Sequence, residues 1–242
     1  MTLPNRMIVN SDINILGSLP DWGLIHTFLT EDLKSIEEKG GIHTFTSIKT
    51  NKSIRRFEKA IKSTVLNFKN DRIHSILKQA ILQSEITSDT LLLLFWNASA
   101  NNSLLFYLNE TVYFPALYSG RVSIQKDEIT ACIQELKQTE DALKKWSMST
   151  ITTTASKYLT LLKKFGLMKG TVHKKINHPY LSDAYFVQFA YFLVAISDKP
   201  NLAGSKWLQY AFSEKQNFLD RLFQKKFSKY FNVNYTGDTL NI

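Results

Sequence analysis

A chain of 242 residues with 44% hydrophobic and 12% aromatic side chains can bury a substantial core, which excludes a disordered basic tail. Its one cysteine, Cys132, excludes an internal disulfide and a thiolate-cluster metal site. The formal net charge of +9, with a pI near 9.4, points to an anionic partner, most often nucleic acid and less often a membrane surface.

Residues 1–20 are polar, close on Gly17-Ser18-Leu19-Pro20, and read as an extended N-terminal arm. The start lacks the continuous apolar run of a secretion signal, so a soluble cytoplasmic protein is expected. Residues 21–120 read as a helical domain, a bundle. From Asp21 as N-cap, Trp22, Ile25, Phe28 or Leu29, and Leu33 repeat at helical spacing until Gly40-Gly41 stops the helix. After a threonine-rich link, Lys52–Phe68 separates into two faces. Ile54, Phe57, Ile61, Val65 and Phe68 form one; Lys52, Arg55, Arg56, Lys59 and Lys62, opposed only by Glu58, form the other. Such a row of cations follows a phosphate backbone well, so Lys52, Arg55, Arg56 and Lys59 are secondary DNA-binding candidates; a solvated lysine stripe shows the same pattern.

A further amphipathic run, Ile73–Gln83, precedes Ser88, the cap of the very apolar Leu91–Trp96. Leu104–Tyr118 is predicted as two short helices interrupted at Pro115, with Tyr107, Tyr113, Phe114 and Tyr118 as an aromatic wall rather than a base-stacking platform. Ser119-Gly120 marks a boundary.

Residues 121–200 read as a winged helix-turn-helix-like module with a small β-hairpin. Ile129, Ile133 and Leu136 mark its first helix, with Cys132 as a buried inert thiol, and Thr139–Trp146 a second. A third begins at Thr150, capped by Ser147 or Ser149, and runs to Phe165. Ile151, Ala155, Tyr158, Leu162 and Phe165 form its apolar stripe; Thr153, Lys157, Thr160 and Lys164 repeat opposite. Gly166 ends it, and Leu167–Ile176 fits two short strands about Gly170-Thr171.

Charge singles this stretch out. From Ala142 to Ser182 there is no Asp or Glu but eight lysines, at 144, 145, 157, 163, 164, 169, 174 and 175. A merely soluble face mixes signs. Ser149, Thr150, Thr153, Lys157, Thr160, Lys164, Lys169, Lys174 and Lys175 are therefore the primary DNA-binding candidates. Short hydroxyls reach a phosphate or base edge without bulk. Beyond Pro179, Asp183–Ile196 is apolar. Its greasiest twelve residues span about 18 Å as helix against a hydrocarbon core of about 30 Å, so a core helix without membrane insertion is expected. Residues 201–242 read as one long C-terminal helix from Ser205 that packs back, followed by a frayed tail.

No Gly-rich phosphate loop, nucleophile elbow or paired-histidine zinc helix is present. His173 and His178, at i, i+5 across a strand end, do not share a face. No catalytic, cofactor or metal site is expected.

The motifs Trp146-Ser147-x-Ser149-Thr150, Lys157-Tyr158-Leu159, Gly166-Leu167-Met168 and Ile176-Asn177-His178-Pro179 resemble the BrxA proteins of bacterial BREX phage-defence gene clusters. Upstream, Asn51 with Ser53-Ile54-Arg55-Arg56-Phe57 looks like that family's basic helix. The similarity spans roughly residues 24–193, departing at Asn67-Phe68, where an Arg-Leu pair is usual, and at Met168, usually Leu. The resemblance implies an all-helical protein with a small winged element, without its own catalysis, that binds double-stranded DNA and serves a multi-protein defence system. Two other readings remain open at this level: a scaffold gripping an acidic partner protein, and a transcriptional regulator.

Overall fold

The computed structural model describes residues 9–30, 48, 50–82, 86–171 and 173–242. It is mainly helical and divides into two compact units. The first comprises residues 1–67 and 94–177, the second residues 68–93 and 178–242. This division is discontinuous in sequence, whereas composition alone cut the chain at 20, 120 and 200.

The first unit opens with α1 (Asp12–Leu16) and α2 (Gly23–Thr30). The expected extended arm is thus corrected: Ile13, Leu16 and Leu19 are fully buried, and three inward apolar side chains in seven residues suffice to seat one helical turn. Of the helix expected from Asp21 to Gly40, the part beyond α2 lies outside the described residues. Next come α3 (Asn51–Ala60), capped by Thr50, and a π-helical turn (Ile61–Val65). The Asp12 carboxylate accepts from Ser63 Oγ at 2.8 Å and Thr64 Oγ1 at 3.0 Å, tying α1 to that turn.

Helix α5 (Ser88–Asn101) follows α4 of the second unit (Asp71–Leu82). Asn97 and Asn101, one turn apart, donate to the carbonyls left open where the π turn ends. The Asn97 amide reaches Val65 O at 2.7 Å and the Asn101 amide reaches Thr64 O at 3.1 Å. Then α6 (Ser103–Leu108), a second π turn (Asn109–Tyr113) and α7 (Phe114–Tyr118) follow without a gap. The break expected at Pro115 is corrected. The π turn shifts the hydrogen-bond ladder just before the proline, and Pro115 takes a first-turn position where no N–H is needed.

Helix α8 (Lys126–Thr139) and α9 (Met148–Lys164) are joined by a short 3-10 turn (Asp141–Leu143). The helix expected over Thr139–Trp146 is corrected to that turn, because Leu143 is its one buried residue and cannot seat more. Strands β1 (Met168–Lys169) and β2 (Lys175–Ile176) pair antiparallel, Met168 opposite Ile176 and Lys169 opposite Lys175. Ser123 bridges Lys175 from the other side, and Ile176 N–H donates to Val122 O at 2.8 Å.

Rings gather at the centre of this unit. Phe165 lies 5.0 Å from Trp22 and 5.5 Å from Phe95; Tyr113 and Phe114 are buried, while Tyr118 is partly exposed. Through this core runs a chain of side-chain hydrogen bonds. Tyr158 OH donates to Asn109 Oδ1 at 2.9 Å, Asn109 Nδ2 to Ser99 Oγ at 3.0 Å, and Ser99 Oγ to Phe95 O at 2.8 Å. The second π turn presents Asn109 to this chain.

In the second unit, α10 (Asp183–Ile196), capped by Ser182, packs on α4. Phe186, Phe189 and Phe192 of α10 meet Phe218 and Trp207 at 5.3–5.9 Å between ring centroids. The single long C-terminal helix is corrected to a 3-10 segment (Lys206–Ala211), α11 (Lys215–Leu222) and a 3-10 turn (Lys225–Phe227). At 100° per residue Phe212 falls about 140° from Trp207, so no single helical face holds both, and Phe212 instead ends the segment at φ 54°. Nor is the tail frayed. Strands β3 (Asn234–Tyr235) and β4 (Leu240–Asn241) pair, Leu240 is fully buried, and its N–H and carbonyl bond to Asn201 Oδ1 and Leu202 N–H at 3.0 and 2.8 Å.

Replacing Tyr158 by Phe leaves Asn109 Oδ1 without that donor inside the core. Urea unfolding is expected to show a loss of about 1–3 kcal/mol at an unchanged m-value. Unaltered stability would contradict the role given to this bond.

Candidate nucleic-acid interface

Ser147, extended at φ −74° and ψ 162°, caps α9, its Oγ accepting from Thr150 N–H at 3.2 Å. Ile151, Thr154, Ala155, Tyr158, Leu159, Leu161 and Leu162 turn inward and are buried. The threonines that lower helix propensity divide among tasks. Thr150 meets the cap hydroxyl at 3.0 Å, and buried Thr154 donates back to Thr150 O at 2.9 Å. Ser156 and Thr160 donate to Thr152 O and Ser156 O at 3.1 and 3.0 Å.

The outward stripe of α9 is Ser149, Thr153, Ser156, Thr160 and Lys163, at i, i+4, i+7, i+11 and i+14. Ser149, Thr153 and Lys163 are exposed; Ser156 and Thr160 are half-buried. Lys157 and Lys164 lie on the flank next to this stripe, Lys164 about 100° round the axis from Lys163. That flank carries α1. A Cβ on Gly17 would stand 2.6 Å from Lys157 O and 2.9 Å from Lys157 Cβ, so only glycine permits the approach. Lys164 Nζ donates to Leu19 O, and Trp22 Nε1 donates to Lys164 O at 3.0 Å, closing the end of the helix. Burial holds the Lys164 ammonium below the ordinary lysine range; nearby Asp21 opposes that shift, and Lys157 and Lys163 add to it.

In the hairpin, Lys169 and Lys175 stand directly opposite each other across the two strands, both exposed, with half-buried Lys174 beside them. Like charges in direct cross-strand register destabilise a pair of strands, and an anion bound over them offsets that repulsion. At Gly170, φ is +98° and a Cβ would strike the His173 carbonyl, so the turn requires glycine. Of the eight lysines in the acid-free stretch, Lys144 forms an ion pair, with Asp141 at 2.6 Å, its edge neighbour. Among the described residues none of Lys145, Lys157, Lys163, Lys169, Lys174 or Lys175 has a carboxylate within ion-pair distance.

The second candidate surface lies on α3. Lys52, Arg55, Arg56 and Lys59 are exposed without an ion pair among the described residues, whereas Lys62 is held by Glu58 at 2.8 Å. Both α3 and α9 pack against α1. The primary candidates are therefore brought together as two groups, Ser149, Thr153 and Thr160 on the outer stripe and Lys169, Lys174 and Lys175 on the hairpin. Lys157 and Lys164 face the arm.

A family model described as BrxA matches residues 30–189. The chain belongs to the BrxA family. That membership carries an association with BREX phage defence. The BrxA match takes in α3, α8, α9 and the hairpin, while α1 precedes it. No curated protein and no solved structure matches. Among the described residues no helix is long and apolar enough to cross a membrane, and no cluster of three metal-ligating side chains occurs.

Lys163, Ser156, Lys126 and His173 are not among the DNA-binding candidates of the sequence, although Ser156 and Lys163 share the outer stripe of α9 and Lys126 and His173 line one cavity. A helical wheel started at Ser149 finds the first two; the others come together only through the chain reversal that brings the hairpin beside the start of α8. Gly17→Ala forces α1 away from α9. A loss of about 1–3 kcal/mol in thermal or urea unfolding is expected, as for an overpacked core site, and wild-type stability would show that the arm yields freely.

Proposed function

We propose that this BrxA-family chain is a non-catalytic, double-stranded DNA-binding accessory protein of a BREX defence system, working in the cytoplasm with other phage-defence proteins. The element order supports a winged helix-turn-helix-like module. Val122–Ser123 supplies a strand-like edge, α8 and α9 with their 3-10 turn the helix pair, and β1–β2 the wing. On this reading α9 is the second helix after that edge and lies in the recognition position.

One observation carries the proposal. The outer stripe of α9 and the adjoining hairpin present Lys163, Lys169, Lys174 and Lys175 with no carboxylate pairing them among the described residues. Hydroxyls of Ser149 and Thr153 let the helix approach a phosphate backbone closely. Sequence preference is weak, because the stripe carries no Arg, Asn or Gln for bidentate base readout. The α3 row, Lys52, Arg55, Arg56 and Lys59, extends the electrostatic footprint of the same unit.

For five to eight neutralised phosphates, the log–log dependence of duplex affinity on salt has a slope of about −4.5 to −7. Filter binding or fluorescence anisotropy is expected to give that slope; no duplex binding at low salt, or a flat dependence, refutes the proposal. Lys163→Gln is expected to lower affinity by about three- to tenfold and flatten the slope by about one. Lys164→Gln, whose ammonium already serves Leu19 O, is expected to change affinity less than twofold and stability more. The reverse ranking would return the contact to the flank covered by α1.

A further inference from the structure

Between the hairpin, the start of α8 and the middle of α9 lies a cavity of about 390 Å³. Its lining includes Lys126, Ser156, Thr160, His173, Lys174 and Lys175, and among the described residues no carboxylate belongs to it. Buried Leu159 and Ile124 form apolar wall, which strengthens any charge interaction made inside. The far wall is held in place by backbone pairing, since Lys175 is bonded in register to β1 on one side and to Ser123 on the other. At about 30 Å³ per water the space holds roughly a dozen waters, room for a phosphoryl group with part of its hydration.

We propose that this cavity is a phosphoryl-group site, filled either by a backbone phosphodiester of a bound duplex or by the terminal phosphate of a small ester. The duplex arm rests on the DNA-binding reading above; the small-ester arm does not. Three lysines and a histidine line one cavity without a neutralising acid among the described residues. Lysine donates as a point charge from a flexible stem, which suits a tetrahedral oxyanion, and the absence of arginine withholds the planar fork that selects carboxylates. The hydroxyl protons of Ser156 and Thr160 are already directed at helix carbonyls. The donors to the anion are therefore Lys126, Lys174, Lys175 and His173, and affinity follows the ammonium groups rather than the hydroxyls.

The test is a histidine-ring NMR titration of the full chain with inorganic phosphate, against sodium chloride at equal ionic strength, the His173 signals being assigned with His173→Asn. Phosphate is expected to shift the His173 signals saturably while chloride does not. Lys126→Gln on α8 is expected to weaken phosphate about tenfold, the loss of one charge-assisted hydrogen bond, and separately Lys174→Gln/Lys175→Gln about a hundredfold, the loss of two. Thr160→Val is expected to stay within about twofold. If a saturating short duplex then blocks phosphate, the occupant is the backbone phosphodiester; if it does not, or if the protein binds no duplex, the occupant is the small ester. The proposal is overturned if phosphate does no more than chloride, or if both lysine variants bind it as the parent does.

Discussion

The hydrogen bond from Tyr158 to Asn109, set in the buried apolar face of α9, holds the rotation of that helix about its own axis, and the surface chemistry of the first unit depends on that rotation. A helix carrying Lys, Ser and Thr on more than half its circumference can bury a flank in several ways. A hydroxyl aimed at one buried amide, itself aimed at Ser99, narrows that freedom, because a rotated helix would lose the bond between these buried polar groups. With Tyr158 inward, Ser149, Thr153 and Lys163 are outward. The π turn at Asn109–Tyr113 belongs to the same device, since it sets Asn109 at the required place.

The second constraint is the seat of α1. Gly17 admits its backbone against Lys157, Lys164 reaches Leu19 O, and Asp12 holds the π turn after α3. These contacts divide the cations of the first unit into two populations. One is spent on the fold, as in Lys164 and in Lys137, whose Nζ donates to Trp146 O at 2.7 Å. The other, in the α3 row and in Lys163, Lys169, Lys174 and Lys175, stays exposed or half-exposed without ion pairs among the described residues. Only the second population can release counterions on meeting a polyanion.

Much of this was legible in the sequence. The 3.6-residue periods of residues 52–65 and 151–165 located α3 and α9 and their buried faces, and the Gly166–Ile176 punctuation located the hairpin. Local patterns did not separate Lys157 and Lys164 from Lys163, because what distinguishes them is a packing partner more than a hundred residues away. The same holds for α1, whose polar composition conceals three inward side chains, and for residues 232–242, pinned by Asn201 and Leu202 rather than by any period of their own. The C-terminal aromatics show the converse error: a dense run of Phe and Trp resembles a long helix until the spacing between Trp207 and Phe212 is counted.

On the proposed function, the outer stripe of α9 and the hairpin together form the face that meets a duplex. Lysine reactivity toward an acylating reagent, read residue by residue by mass spectrometry with and without saturating DNA, tests it most directly. Lys163, Lys169, Lys174 and Lys175 are expected to react freely in the unbound protein and become protected on the duplex, while Lys164 reacts slowly in both. Unchanged reactivity at the first four under saturation, with protection appearing elsewhere on the chain, would contradict it.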